Sequence, residues 1–155
     1  MNHKTMTLAI LAPAAAIALG FLLPPAHARP WQEQQTSVWD GVYTAEQAKR
    51  GEAFYLEDCS NCHGRELEGA DMTPPLAGLS FSSNWDGLTL GDLFERIRIT
   101  MPADRPGSLA RQRIADIMSH LLVVNKFPAG NAELPRELQA LKQILYQATK
   151  PSQKQ

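Results

Sequence analysis

Residues 59–63 read Cys-Ser-Asn-Cys-His, and the 155-residue chain holds no other cysteine. Four kinds of chemistry compete for such a cluster. A disulfide framework needs more than one pair of cysteines to staple an exported domain of this size. Structural zinc needs four ligands; beyond residue 28 only Cys59, Cys62, His63 and His120 are on offer, and adjacent ligands at 62 and 63 point in different directions. A thioredoxin-like dithiol expects strands in a parallel βαβ pattern, and the chain shows no sustained alternation. The fourth reading is covalent attachment of c-type haem, whose recognised signature is C-x-x-C-H. Thiols three residues apart on a helical turn share a face and can each bond one vinyl group. The next residue, turned about 100° further, aims its imidazole at the iron.

The remaining axial position needs a second side chain. His3 and His27 lie in a segment that reads as a removable leader, and His120 falls inside a helical pattern where packing is its plainer role. Met72 is too close to the tether, and Met118 belongs to an apolar stripe. Met101 stands where a helix must stop, because Pro102 pushes the residue before it out of the helical region. Its thioether is therefore the expected distal ligand, and Met/His ligation raises the potential of haem iron.

The elements that must position these residues read as all-α. The T-A-E-Q sequence from Thr44 predicts a capping box, with the Gln47 side chain reaching back, and a helix from Ala45 to about Asp58. Ala48, Gly51 and Tyr55 share one stripe of it and predict a close helix crossing. Residues 64–87 have the Gly, Pro, Ser and Asn content of an irregular loop, yet carry Leu76, Leu79, Phe81 and Trp85. A second box, T-L-G-D from Thr89, opens a helix bearing Leu90, Leu93, Phe94 and Ile97. Ser108 is expected to cap a third main helix, on which Ile114, Ile117, Met118, Leu121 and Leu122 form the clearest amphipathic stripe in the chain. Leu138, Leu141, Ile144 and Leu145 predict an amphipathic helix in a C-terminal extension.

The first 28 residues have the three parts of a secretory leader: Lys4, an apolar run from about Met6 to Leu23, and the exit Ala26-His27-Ala28. Cleavage after Ala28 is expected to leave no membrane span and to place the protein in the periplasm. The residual chain would carry 14 Lys and Arg against 16 Asp and Glu, which gives a nucleic-acid partner no electrostatic support. Residues 29–42 read as a linker in which Trp31, Trp39 and neighbouring Tyr43 can pack back. Residues 43–127 then form one domain, and 128–155 its extension.

The stretch from about Tyr43 to Lys126, with G-E-A-F-Y before C-S-N-C-H-G, then P-P-L-A-G, T-M-P and a terminal amphipathic helix, resembles the class I c-type cytochromes of small soluble bacterial type. The resemblance implies three main helices around one covalently bound haem c. Cys59 and Cys62 would be the thioether sites, and His63 and Met101 the axial ligands. Pro75 would offer its carbonyl to the proximal imidazole, and Trp85 would hydrogen-bond a propionate. It further implies a periplasmic monohaem carrier of single electrons between redox proteins, such as a dehydrogenase or a terminal oxidase. The alternatives are a haem subunit of a quinoprotein-type dehydrogenase complex, which the segments 31–40 and 134–144 resemble in style, and a gas-binding sensor. In this family the loop with the distal methionine borders the exposed haem edge, so Arg96, Arg98, Arg105, Arg111 and Arg113 suggest a basic docking face.

Overall fold

The structure, a computed structural model, describes Met1 and residues 36–152. The expected leader with its cleavage point after Ala28, and Trp31, lie outside the described residues, Met1 apart. Among the described residues there are six α-helices: α1 Ala45–Asp58, α2 Ser60–His63, α3 Gly78–Trp85, α4 Leu90–Thr100, α5 Arg111–Val124 and α6 Leu138–Leu141. Two short strands, β1 Thr36–Ser37 and β2 Ile144–Leu145, pair in parallel, with Thr36 opposite Ile144 and Ser37 opposite Leu145. No helix among the described residues is long and apolar enough to cross a membrane. The all-α expectation holds.

The frame is the crossing of α1 and α5. Thr44 caps α1 as its sequence predicts, accepting from the Gln47 backbone N–H at 3.1 Å. The Gln47 side chain does not reach back, however. It is fully buried and instead donates to Asp116 Oδ1 and the Leu134 carbonyl, while its own oxygen accepts from Leu134 N–H at 2.6 Å. A buried amide must satisfy each of its polar atoms, and here the tail offers better partners than the cap. Thr89 and Asp92 do form the complete box that opens α4. Ser108 caps no helix; its N–H closes a turn on the Arg105 carbonyl. The next helix starts at Arg111 with Ala110 as its cap. From Ile114 to Leu122 every residue of α5 is buried. At the crossing, a Cβ on Gly51 would lie 1.8 Å from the Asp116 carbonyl oxygen.

Two expectations give way to tertiary structure. Residues 78–85, expected to be irregular, form α3. Phe81 anchors it in the core, with ring centroids 6.2 Å from Trp85 and 6.1 Å from Tyr146. The amphipathic helix expected through Leu145 is one turn only, α6, after which Ile144–Leu145 run extended. A short helix gains little by itself. Extended, the same segment pairs with β1 and exchanges hydrogen bonds with the 87–88 turn: Tyr146 N–H to the Leu88 carbonyl at 2.8 Å and Gly87 N–H to the Tyr146 carbonyl at 2.9 Å.

The extension therefore shares the core rather than standing apart. Leu134, Leu141, Ile144 and Tyr146 are buried within the same cluster as Tyr55, Phe94 and Ile114. Gly130 lies against Gly41, where a Cβ would meet the Gly41 carbonyl at 1.9 Å. The described part of the expected linker is fixed as well. Trp39 donates its indole N–H to the Gln147 carbonyl at 2.9 Å and stands edge-on to Phe127, with centroids 4.8 Å apart. Tyr43 is fully buried and donates to the Phe127 carbonyl at 2.7 Å.

His120 occupies the crossing, its ring 5.4 Å from that of Tyr55. Burial pushes its pKa below the ordinary 6.5, a trend that Glu52 and Glu66 oppose. Because the unfolded chain takes the proton first, His120 favours folding above about pH 6.5 and loses that contribution as pH falls below it. The urea midpoint should accordingly drop more between about pH 7 and about pH 5 in the wild type than in His120→Phe. Parallel curves for the two proteins would contradict this reading.

Candidate functional site

α1 carries the chain to the thiols. Cys59 ends it, with its N–H on the Tyr55 carbonyl at 2.9 Å, and the dihedrals φ −126° and ψ −33° redirect the chain into the single turn of α2. Within that turn Cys62 N–H and His63 N–H both reach the Cys59 carbonyl, at 3.1 and 3.0 Å. Both thiols are free, Cys59 half-buried and Cys62 exposed. Burial first, and the neighbouring Asp58 second, push the Cys59 thiol up to about 11.

His63 is buried, and its Nδ1 lies 2.9 Å from the Pro74 carbonyl. A carbonyl can only accept, so Nδ1 carries the proton and Nε2 keeps its lone pair for a metal. The partner is Pro74, not the expected Pro75. The turn at residues 70–73, closed by reciprocal Ala70 and Thr73 hydrogen bonds, delivers the first carbonyl of the Pro-Pro pair. The loop after it is pinned from α5. Asn125 donates to the Leu76 carbonyl at 3.0 Å and accepts from Gly78 N–H at 3.0 Å. No local pattern in the sequence announces that long-range anchor.

Met101 sits at the C-terminal cap of α4, half-buried and extended (φ −124°, ψ 151°), with Pro102 buried behind it. Trp85 closes α3, half-buried, and its indole N–H has no acceptor among the described residues. The segment after Met101 is tied to the residue before Cys59, since Arg105 donates to Asp58 Oδ1 at 2.7 Å.

The arginines expected to form a docking face are largely engaged within the chain. Arg98 pairs with Glu95, Arg105 with Asp58, and Arg113 with Glu57 and Asp58. Arg111 lies over the Phe94 ring, 5.6 Å from its centroid. Only Arg96 of the five is exposed without a carboxylate or aromatic partner among the described residues. Spacing along the chain cannot show that Asp58, far upstream, comes to meet two of them.

These donors fit a covalently held haem. Two free thiols lie on one turn, an imidazole is fixed through Nδ1 with Nε2 left open, and a thioether stands at a helix end. Leu76, Trp85, Ile97 and Leu109 pack only partly against the core, which leaves apolar side chains for a flat macrocycle to cover. Residues 46–121 match the family described as cytochrome C oxidase, cbb3-type, subunit III. No curated protein matches the chain. Among solved structures, the sulfane dehydrogenase SoxCD from Paracoccus pantotrophus is similar at 20% identity over 84% of this chain and 68% of that one, with a TM-score of 0.47. Residues 46–121 are a c-type cytochrome domain, and the cofactor of that domain is a covalently bound haem c.

Proposed function

We propose that the protein is a periplasmic monohaem cytochrome, exported with cleavage after Ala28, that passes single electrons between redox proteins. Cys59 and Cys62 would tether the haem, and His63 and Met101 would be the side chains that bind its iron. The observation that carries this reading is the bond between His63 Nδ1 and the Pro74 carbonyl, which fixes the imidazole plane and leaves Nε2 to the metal. Bound haem supplies a one-electron couple. The protein's part would be to hold both ligands to the iron, to keep water from it and, through the indole N–H of Trp85, which has no acceptor among the described residues, to offer a donor to a propionate. With His63 and Met101 both bound to the metal, a substrate would have no place to bind there, which favours electron transfer over activation.

Of the four residues expected to form an amphipathic stripe in the extension, Leu141 and Ile144 lie in the protein's own core. Free carriage between partners is therefore favoured over a fixed place in a complex.

The test is the reduced protein with carbon monoxide. Wild type should keep its spectrum unchanged, whereas Met101→Ala should bind the gas and show a lower midpoint potential. Carbon monoxide binding to the wild type would instead support the gas-sensor reading, in which Met101 leaves the iron to the gas.

A further inference from the structure

Residues 103–108, just past Met101, are exposed without a break. Their order comes from two successive turns, Arg105 N–H on the Pro102 carbonyl at 3.0 Å and Ser108 N–H on the Arg105 carbonyl at 3.3 Å. Among the described residues a single side chain of this stretch bonds another element. That is Arg105, which reaches Asp58 Oδ1 at 2.7 Å.

The two halves of this pair differ in kind. The Asp58 side chain is 2% exposed, whereas that of Arg105 is 49% exposed. Asp58 is also held from its other oxygen by Arg113 Nε. Arg113 is itself fixed on α5, with its guanidinium 4.1 Å from the Phe54 ring centroid and an ion pair to Glu57. The carboxylate is thus a rigid post on the α1/α5 body, directly before Cys59, and Arg105 is the movable end. A charged hydrogen bond to a buried carboxylate is stronger than a neutral one and less screened by salt than an exposed pair.

We propose that the Arg105–Asp58 ion pair is a latch that holds the segment following Met101 closed, so that Arg105 is a positioning residue for the distal ligand. The proposal rests on Met101 being that ligand. A competing small ligand binds only the open form, so its apparent affinity scales with the open fraction. The chain chooses a favourable place to tether: once Arg105 is removed, Arg113 still neutralises Asp58, and the body has no reason to unfold. Loss of Arg113 should act in the opposite way, weakening the α1/α5 body without freeing the segment.

The experiment is titration of the oxidised holoprotein with imidazole, together with the near-infrared band that reports thioether ligation. Arg105→Ala and Arg105→Gln should each bind imidazole about tenfold more tightly than wild type, and Arg105→Lys should recover part of the difference. Arg113→Ala should lower the urea midpoint and leave imidazole affinity unchanged. Imidazole affinity within about twofold of wild type in both Arg105→Ala and Arg105→Gln overturns the latch. Met101→Ala separates the two ideas. If it tightens imidazole binding and the Arg105 variants do not, only the latch falls; if it does not tighten binding, Met101 is not the distal ligand and the latch falls with it.

Discussion

Removal of residues 134–155 should abolish the cooperative unfolding transition of the holoprotein. The segment looks dispensable because it lies past the domain that the C-x-x-C-H motif defines. In the structure it supplies Leu134, Leu141, Ile144 and Tyr146 to the core, each at most 6% exposed. Burying one such side chain is worth about 1.5–3 kcal/mol. Four of them are therefore worth about 6–12 kcal/mol, against a net stability of about 5–15 kcal/mol for a whole domain. The truncation also strips Gln47 of both its bonds to Leu134 and leaves a buried amide short of partners. A milder form of the test is Tyr146→Ala. It empties the space between Phe81 and Phe127 and should cost about 3–5 kcal/mol in urea unfolding. A truncated protein with the wild-type midpoint would show the tail to be an appendage.

Gly51→Ala should be nearly as damaging although it adds one methyl group. The new Cβ would stand 1.8 Å from the Asp116 carbonyl oxygen and 2.5 Å from its carbon. Both are backbone atoms of the buried stretch of α5, so no rotamer change relieves the contact and the two helices must separate. Overpacking of a core typically costs about 1–3 kcal/mol, and a backbone clash at the central crossing belongs at or above the top of that range. Separation would also disturb Asp116, which accepts from Gln47, Arg50 and Gln112. Equilibrium unfolding in urea measures the loss, and an unchanged midpoint would mean that the helices do not meet at Gly51.

What could be read from the sequence was local. Cys59, Cys62 and His63 are legible because their chemistry depends on spacing within one turn. Met101 is legible because a proline fixes where its helix ends. Gly51 and Tyr55 betray a crossing by size alone, and α5 by an uninterrupted apolar stripe. The rest depends on residues far apart in the chain. Pro74 rather than Pro75 faces His63 because loop backbone, not residue type, aims a carbonyl. α3 hides behind a Gly- and Ser-rich composition that the packing of Phe81 outweighs. The tail reads as helix until β1 and the 87–88 turn offer its backbone other partners, and the arginine cluster reads as a free surface until Asp58 is seen between two of its members.

The parallel pairing of Thr36–Ser37 with Ile144–Leu145 joins residues more than a hundred positions apart. Closing so wide a ring is entropically costly and slow, so it belongs at the end of folding. The thiols at 59 and 62 are made long before residues 144–147 exist to meet β1 and Trp39. A newly made chain can thus offer both sulfurs to a haem while still open, and the far end of the polypeptide fastens the assembly only afterwards.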